Sequence, residues 1–197
     1  MTTMGAAPKL RQGPMTVAEF LDWDSGDVSG RRWQLRDGVP EAMAPCTEPH
    51  GAIQGELAFL VRRHLLDAGS ACRMIVTPGI VPRLRASDNV RIPDIAVTCT
   101  PPADRHLTDA PVLLVEILSR SNARQTWANV WSYATIPSAG EILVVWSTRR
   151  RADLLRRQAD GTWPEQPQRL QAGDTLELAS IGLAVPLAAL YVTSGIG

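Results

Sequence analysis

The run Val112 to Leu118 is apolar at every position but Glu116, and no other stretch restricts the fold as tightly. It is short and rich in β-branched and aliphatic residues, so it reads as a strand. A strand apolar on both sides of its pleat must be covered on both sides. That excludes an all-helical chain and a sheet with one wet face. Ile95-Ala96-Val97-Thr98 has the same character and follows Pro93-Asp94. A carboxylate in such a strand is costly unless it is paired, hydrogen-bonded or bound to a cation. Two such acids, Asp94 and Glu116, on neighbouring strands outline half of a divalent-metal site.

A chain of 197 residues suits one domain with a sizeable core. We expect a disordered tail over 1–13 and one domain over 14–193. With 45% hydrophobic and 20% charged residues the composition is that of a globular protein. No stretch is apolar for long enough to cross a bilayer or to serve as a signal peptide, so no membrane partner is expected. Cys46, Cys72 and Cys99 form no CxxC pair, and reduced thiols in a cytoplasmic protein are expected. Lys9 is the only lysine, the other basic residues being arginine, and the net charge is zero. That balance argues against a protein that coats DNA by charge and leaves room for a local basic patch.

Thr16 with Glu19 predicts a capped helix to Leu21. Asp37-Gly38 predicts a hairpin between Arg31–Arg36 and Val39–Met43. Ile53, Leu57, Leu60, Val61, Leu65 and Leu66 predict a helix over His50–Leu66, with Gly69 at its end. Strands are expected at Cys72–Thr77 and Ile80–Leu84, then at the Asp94 and Glu116 runs. A helix capped by Ser121 or Asn122 runs to about Thr135, stopped by Pro137. A hairpin, Glu141–Trp146 with Ala152–Arg157, a strand near Thr175–Leu178 and a small helix near Pro186–Leu190 complete an α/β (α+β) domain with a mixed sheet flanked by helices.

If the Asp94 and Glu116 strands pair antiparallel with these acids opposed, Ala96 faces Leu114 and Thr98 faces Val112. Opposed residues share a face with Cβ atoms about 5 Å apart. Two ionised carboxylates there repel unless a cation sits between them, and hard oxygen donors at that separation suit Mg²⁺. The structural alternative is a salt bridge from Glu116 to Arg83, Arg85 or Arg91, with Asp94 capping a turn.

The ordered set of motifs resembles a bacterial family described as restriction endonucleases, once known only as a domain of unknown function, within the PD-(D/E)XK nuclease superfamily. The resemblance runs from about Met15 to Tyr191. It is carried by Met15-Thr16-Val17-Ala18-Glu19-Phe20, by Trp33-Gln34-Leu35-Arg36-Asp37-Gly38 and by His50-Gly51-Ala52-Ile53. Arg91-Ile92-Pro93-Asp94-Ile95, Val115-Glu116-Ile117-Leu118, and Tyr133 with Ile136-Pro137 complete it. It implies a restriction-endonuclease-like mixed sheet flanked by helices, Mg²⁺ or Mn²⁺ as cofactor, DNA as substrate and a homodimer. It implies Asp94 and Glu116 as catalytic metal ligands.

The resemblance also places a glutamate where this chain has Gln34, and a lysine on the following helix where it has Asn129. Gln34 and Asn129 are therefore counted with Asp94 and Glu116 as catalytic candidates of a depleted site. Arg31 or Arg32 is a candidate for the missing positive charge, and Glu41, Glu48 or Glu56 for the missing acid. His50, Arg31, Arg32 and Arg91 are candidates for nucleic-acid contact, and the turn Arg149-Arg150-Arg151 for a phosphate grip. The competing expectation is a catalytically silent nuclease fold serving as a DNA-binding or protein-interaction module.

Overall fold

The computed structural model describes residues 13–120 and 122–197. The expected tail over 1–13 lies, apart from Gly13, outside the described residues, and so does Ser121. The elements are α1 (Val17–Leu21), β1 (Trp33–Arg36), β2 (Val39–Ala42), α2 (Glu48–Asp67), β3 (Arg73–Val76), β4 (Ile95–Thr98) and β5 (Pro111–Leu118). They continue with α3 (Ala123–Tyr133), β6 (Glu141–Trp146), β7 (Arg151–Arg156), β8 (Gln168–Gln171), β9 (Thr175–Leu178), β10 (Leu183–Pro186) and a closing 3₁₀ turn, Leu187–Tyr191.

Six strands form the central sheet in the order β3-β4-β5-β6-β7-β8. Only β5 and β6 run parallel, with α3 as their crossover; the other neighbours are antiparallel. The two-sided burial expected for β5 is realised through its pleat. Leu113, Val115 and Ile117 pack with Ile53, Leu57, Val61 and Leu65 of α2. Leu114 and Leu118 pack with Val130 and Tyr133 of α3. Each such aliphatic side chain removed from water contributes about 1.5–3 kcal/mol. Parity therefore sends Glu116 to the α3 side, into an apolar layer.

The β1–β2 hairpin stands apart from this sheet and is placed by its turn and by one short ladder. Asp37 and Gly38 both have positive φ, 49° and 79°, as the two-residue turn requires. A Cβ on Gly38 would lie 2.6 Å from the Pro14 side chain. Leu35 exchanges both main-chain hydrogen bonds with Val90, at 2.9 and 3.0 Å, and buries itself with Met15 and Val90. With Leu35 turned to that small core, Gln34 and Arg36 face the other way. Gln34 is directly opposite Glu41.

Several expectations are corrected. Ile80–Leu84 is no strand; Ile80 makes one isolated bridge to Arg91, since Pro82 has no N–H for a ladder. Thr98 faces Pro111 because the register slips after Val97. The last small helix is a 3₁₀ turn. β8 and β10 were not anticipated, being short and largely exposed. The thiols of Cys72 and Cys99 are not free: they form a disulfide, leaving Cys46 as the free cysteine. These two residues flank the end of the β3–β4 ladder, just beyond Arg73↔Thr98, a proximity that sequence spacing does not reveal. No helix among the described residues is long and apolar enough to cross a membrane.

Candidate active site

The N-terminus of α2, the inner face of α3, the β1–β2 hairpin and the adjoining ends of β4 and β5 enclose a cleft of about 710 Å³. Gln34, Glu41, His50, Asp94, Glu116 and Asn129 all line it. The pairing Ile95↔Val115 and Ala96↔Leu114 carries Asp94 to the place opposite Glu116. The antiparallel register expected for the acidic pair is therefore observed up to the slip at Thr98.

Glu116 is 6% exposed. Its Oε1 accepts hydrogen bonds from Asn129 Nδ2 at 3.0 Å and Tyr133 Oη at 2.8 Å. Burial first, and then the Asp94 charge, push its carboxyl up to about 8, against the two hydrogen bonds and the charge of Arg36. Burial and the nearby Glu116 likewise hold the Tyr133 phenol protonated far above its ordinary range. Asp94 is fixed from both sides. Its Oδ2 accepts the Ile117 N–H at 2.6 Å and its Oδ1 lies 2.9 Å from His50 Nε2. Gln54 Nε2 donates to its main-chain oxygen at 2.9 Å.

The neutral residues are also engaged. Gln34 Nε2 donates to Glu41 Oε2 at 3.1 Å, and Arg36 Nε donates to that same oxygen at 2.9 Å. Arg36 Nη2 reaches Asn129 Oδ1 at 3.4 Å, and Gln125 Nε2 donates to that atom at 3.2 Å. One hydrogen-bonded chain thus runs from Glu41 through Arg36 and Asn129 to Glu116 and Tyr133.

Against the sequence expectations, Asp94, Glu116, Gln34, Asn129 and His50 are brought together. Arg31 and Arg32 line the cleft mouth, but neither enters this hydrogen-bonded chain; Arg31 lies 3.8 Å from Asp27. Arg91 does not line the cleft. It is 5% exposed, so it is not placed to reach a DNA phosphate. Of the three acids considered as replacements only Glu41 lines the cleft; Glu56 instead accepts a hydrogen bond from Thr193. The salt-bridge alternative for Glu116 is not realised, since among the described residues no arginine pairs with it and Arg85 pairs with Asp37 and Asp88. At the arginine-rich turn, Arg149 and Arg151 stack on Trp146, and Arg151 pairs with buried Asp153.

Tyr133 and Arg36 are the members of the site that the sequence reading missed. Tyr133 was legible in principle: Thr126, Asn129, Val130 and Tyr133 are the buried stripe of α3, at helical spacing. A polar residue in that stripe marks a functional face, and Tyr133 follows Asn129 by one turn.

Among the described residues no group of three or more His, Cys, Asp or Glu side chains is placed to hold a metal ion. Mg²⁺, however, is commonly held by one or two carboxylates, with waters and substrate phosphates supplying the rest. Burial and then the Asp94 charge disfavour an ionised Glu116, and a divalent cation between the two carboxylates offsets that penalty. Asp94 and Glu116 fit such an ion.

The chain is 32% identical over 181 residues to an uncharacterized protein of Synechocystis sp. (strain ATCC 27184 / PCC 6803 / Kazusa), covering 90% of this chain and 91% of that protein. Its fold is similar to a crystal structure described as "a putative nuclease belonging to DUF820" from Anabaena variabilis ATCC 29413. The TM-score is 0.70 at 16% identity, over 90% of this chain and 98% of that one. Residues 17–188 match the family described as "Uma2: Putative restriction endonuclease". The chain belongs to the Uma2 family.

Proposed function

We propose that this protein is a divalent-metal-dependent endonuclease that hydrolyses phosphodiester bonds of DNA in the cleft between α2 and α3. The observation that carries the reading is the placement of Asp94 opposite Glu116 in the lining of one cleft, where burial and the Asp94 charge push the Glu116 carboxyl upward. Family membership supplies the nuclease class, and restriction endonucleases act on DNA. Asp94 and Glu116 would hold Mg²⁺ or Mn²⁺, which supplies charge neutralisation and a more acidic water at neutral pH.

The chain's own residues hold this pair in place. Asn129 and Tyr133 grip Glu116 through Oε1, leaving Oε2 without a hydrogen bond among the described residues. The Ile117 N–H and His50 fix both oxygens of Asp94. His50 Nε2 and Asp94 Oδ1 share one hydrogen bond, whose donor is set by the imidazole tautomer. Gln34 offers no charge, and its amide is tied to Glu41. In this reading the protein acts as a homodimer whose two clefts serve the two strands of a duplex.

The second reading, a silent nuclease fold that binds DNA or protein, is favoured by the absence of a third acidic ligand among the described residues. Nicking of supercoiled plasmid separates the two. Wild type with Mg²⁺ or Mn²⁺ should relax the plasmid and EDTA should stop it, while Asp94→Asn and Glu116→Gln fall at least 1,000-fold, on the order of the loss of a principal catalytic group. No nicking by wild type, or equal nicking by the variants, refutes the endonuclease.

A further inference from the structure

The connection from β4 to β5, residues 99–110, is long for an antiparallel pair, and the fold fastens it in three places. The Cys72–Cys99 disulfide ties its start to the residue before β3. The Thr98 hydroxyl donates to the Asp109 main-chain oxygen at 2.7 Å across its neck, and the Thr108 N–H donates to the Gly79 oxygen at 2.8 Å. Between these fastenings the loop stands off β3, the edge of the central sheet, and leaves a second cavity of about 290 Å³.

Every charged side chain lining this cavity is basic: Arg73 from β3 and Arg105 from the loop, with His106 beside them. Arg73 is half-buried; it donates from Nη1 to the Thr100 main-chain oxygen and has no acidic partner among the described residues. A charge withdrawn from water is ordinarily paired, so an unmatched guanidinium at a polar cavity marks a place for an anion. Arg105 pairs with Asp109 through Nη1. That pair is exposed and therefore weakly held, and Nε and Nη2 of Arg105 make no hydrogen bond among the described residues. Two guanidinium forks suit the oxygens of a phosphate.

Thr77 joins this cavity to the cleft. It lines both, and its N–H donates to the Asp94 main-chain oxygen at 3.0 Å. Its φ of 49° lies in the left-handed region, which is costly for a β-branched residue, and the strain falls on the residue that the two cavities share. We propose that the second cavity is an anion subsite in which Arg73 and Arg105 hold a phosphate of the bound DNA strand, flanking the one at Asp94 and Glu116. The proposal rests on the nuclease reading above. A strand carries phosphates at regular spacing along its backbone, so one that lies over the acidic pair takes its neighbours past Thr77 to the basic cavity. Such a contact sets the position of the strand and carries no base preference.

The test compares wild type with Arg105→Gln, Arg73→Gln and the double variant. A labelled 20-bp duplex is titrated in Ca²⁺ and followed by anisotropy across a salt series. Arg105→Gln should weaken binding about threefold, and the double variant about tenfold with a salt slope lower by about 0.9, one phosphate contact. Competition by oligothymidylates of increasing length should show a step of about tenfold in wild type, where the strand first spans both cavities, and no step in the double variant. No duplex binding by wild type, or unchanged affinity and slope in the double variant, overturns the subsite. So does a loss confined to Arg73→Gln and matched by a lower urea midpoint, because Arg73 would then only fasten Thr100. Polyglutamate that binds wild type as tightly as duplex, with the same loss in the double variant, gives the cavity to an acidic protein and overturns the proposal too. A wild type that binds duplex with the Arg73- and Arg105-dependent slope but never nicks refutes the endonuclease and leaves the subsite standing.

Discussion

Replacing Glu116 by Gln should stabilise the metal-free protein above neutral pH and change little at pH 5. The carboxyl ionises near 4.5 when solvated and at about 8 in the fold, because burial and Asp94 disfavour its charge. A raised folded value means that the group's contribution to stability is complete below about 4.5 and is lost as pH climbs through 8. At about 1.4 kcal/mol per tenfold change in proton affinity, that loss comes to about 4 kcal/mol by pH 8 to 9. Glutamine keeps an acceptor at the place where Oε1 meets Asn129 and Tyr133, fills nearly the same volume and cannot ionise. For a domain of this size about 1 kcal/mol moves Tm by 2–4 °C, so the variant should melt about 10 °C higher at pH 9 and within about 2 °C at pH 5. Differential scanning fluorimetry in EDTA from pH 5 to 9 reads this directly. Parallel Tm curves for wild type and Glu116→Gln would refute the claim that Glu116 holds a proton in the free site.

Tyr133→Phe removes one of the two donors on Glu116 Oε1; urea unfolding should show a loss of about 1–2 kcal/mol, larger at pH 9 than at pH 6, since the lost bond favoured the ionised form. Gly38→Ala forces a Cβ to within 2.6 Å of Pro14 at a φ of 79°; it should cost about 1–3 kcal/mol and loosen the hairpin that carries Arg36, read as faster amide exchange at Leu35. Reduction, or Cys72→Ser with Cys99→Ser, opens a link spanning 27 residues; chain-entropy reasoning puts the cost at about 3–4 kcal/mol, visible as a lower urea midpoint with dithiothreitol present.

The sheet was legible where one physical demand dominated. The apolar run Val112 to Leu118 had to be covered on both faces, and α2 and α3 do so. Asp37-Gly38 demanded a tight hairpin and formed it. The Thr16–Glu19 capping box is present. The strand expected at Ile80–Leu84 failed because apolar composition says nothing of a missing N–H at Pro82.

The site was legible where position along a strand or helix fixed direction: Asp94, Glu116, Asn129 and His50 meet as the pattern suggested. Glu41 could not be singled out from Glu48 and Glu56, and Arg36 escaped notice, because their meeting depends on how the separate β1–β2 hairpin docks, through the Leu35–Val90 ladder. That is a contact between residues far apart in sequence, and neither residue type is unusual on a polar strand face. The disulfide was hidden for the same reason, as its cysteines become neighbours only when β3 and β4 pair.

Anomalous scattering from crystals grown with Mn²⁺ reads the divalent-cation site proposed at Asp94 and Glu116. One anomalous peak is expected between the Asp94 and Glu116 carboxylates, within about 2.0–2.3 Å of an oxygen of each, as for a hard cation on oxygen donors, and absent from Glu116→Gln crystals. A cleft without a peak, or Mn²⁺ bound only elsewhere on the surface, would contradict it.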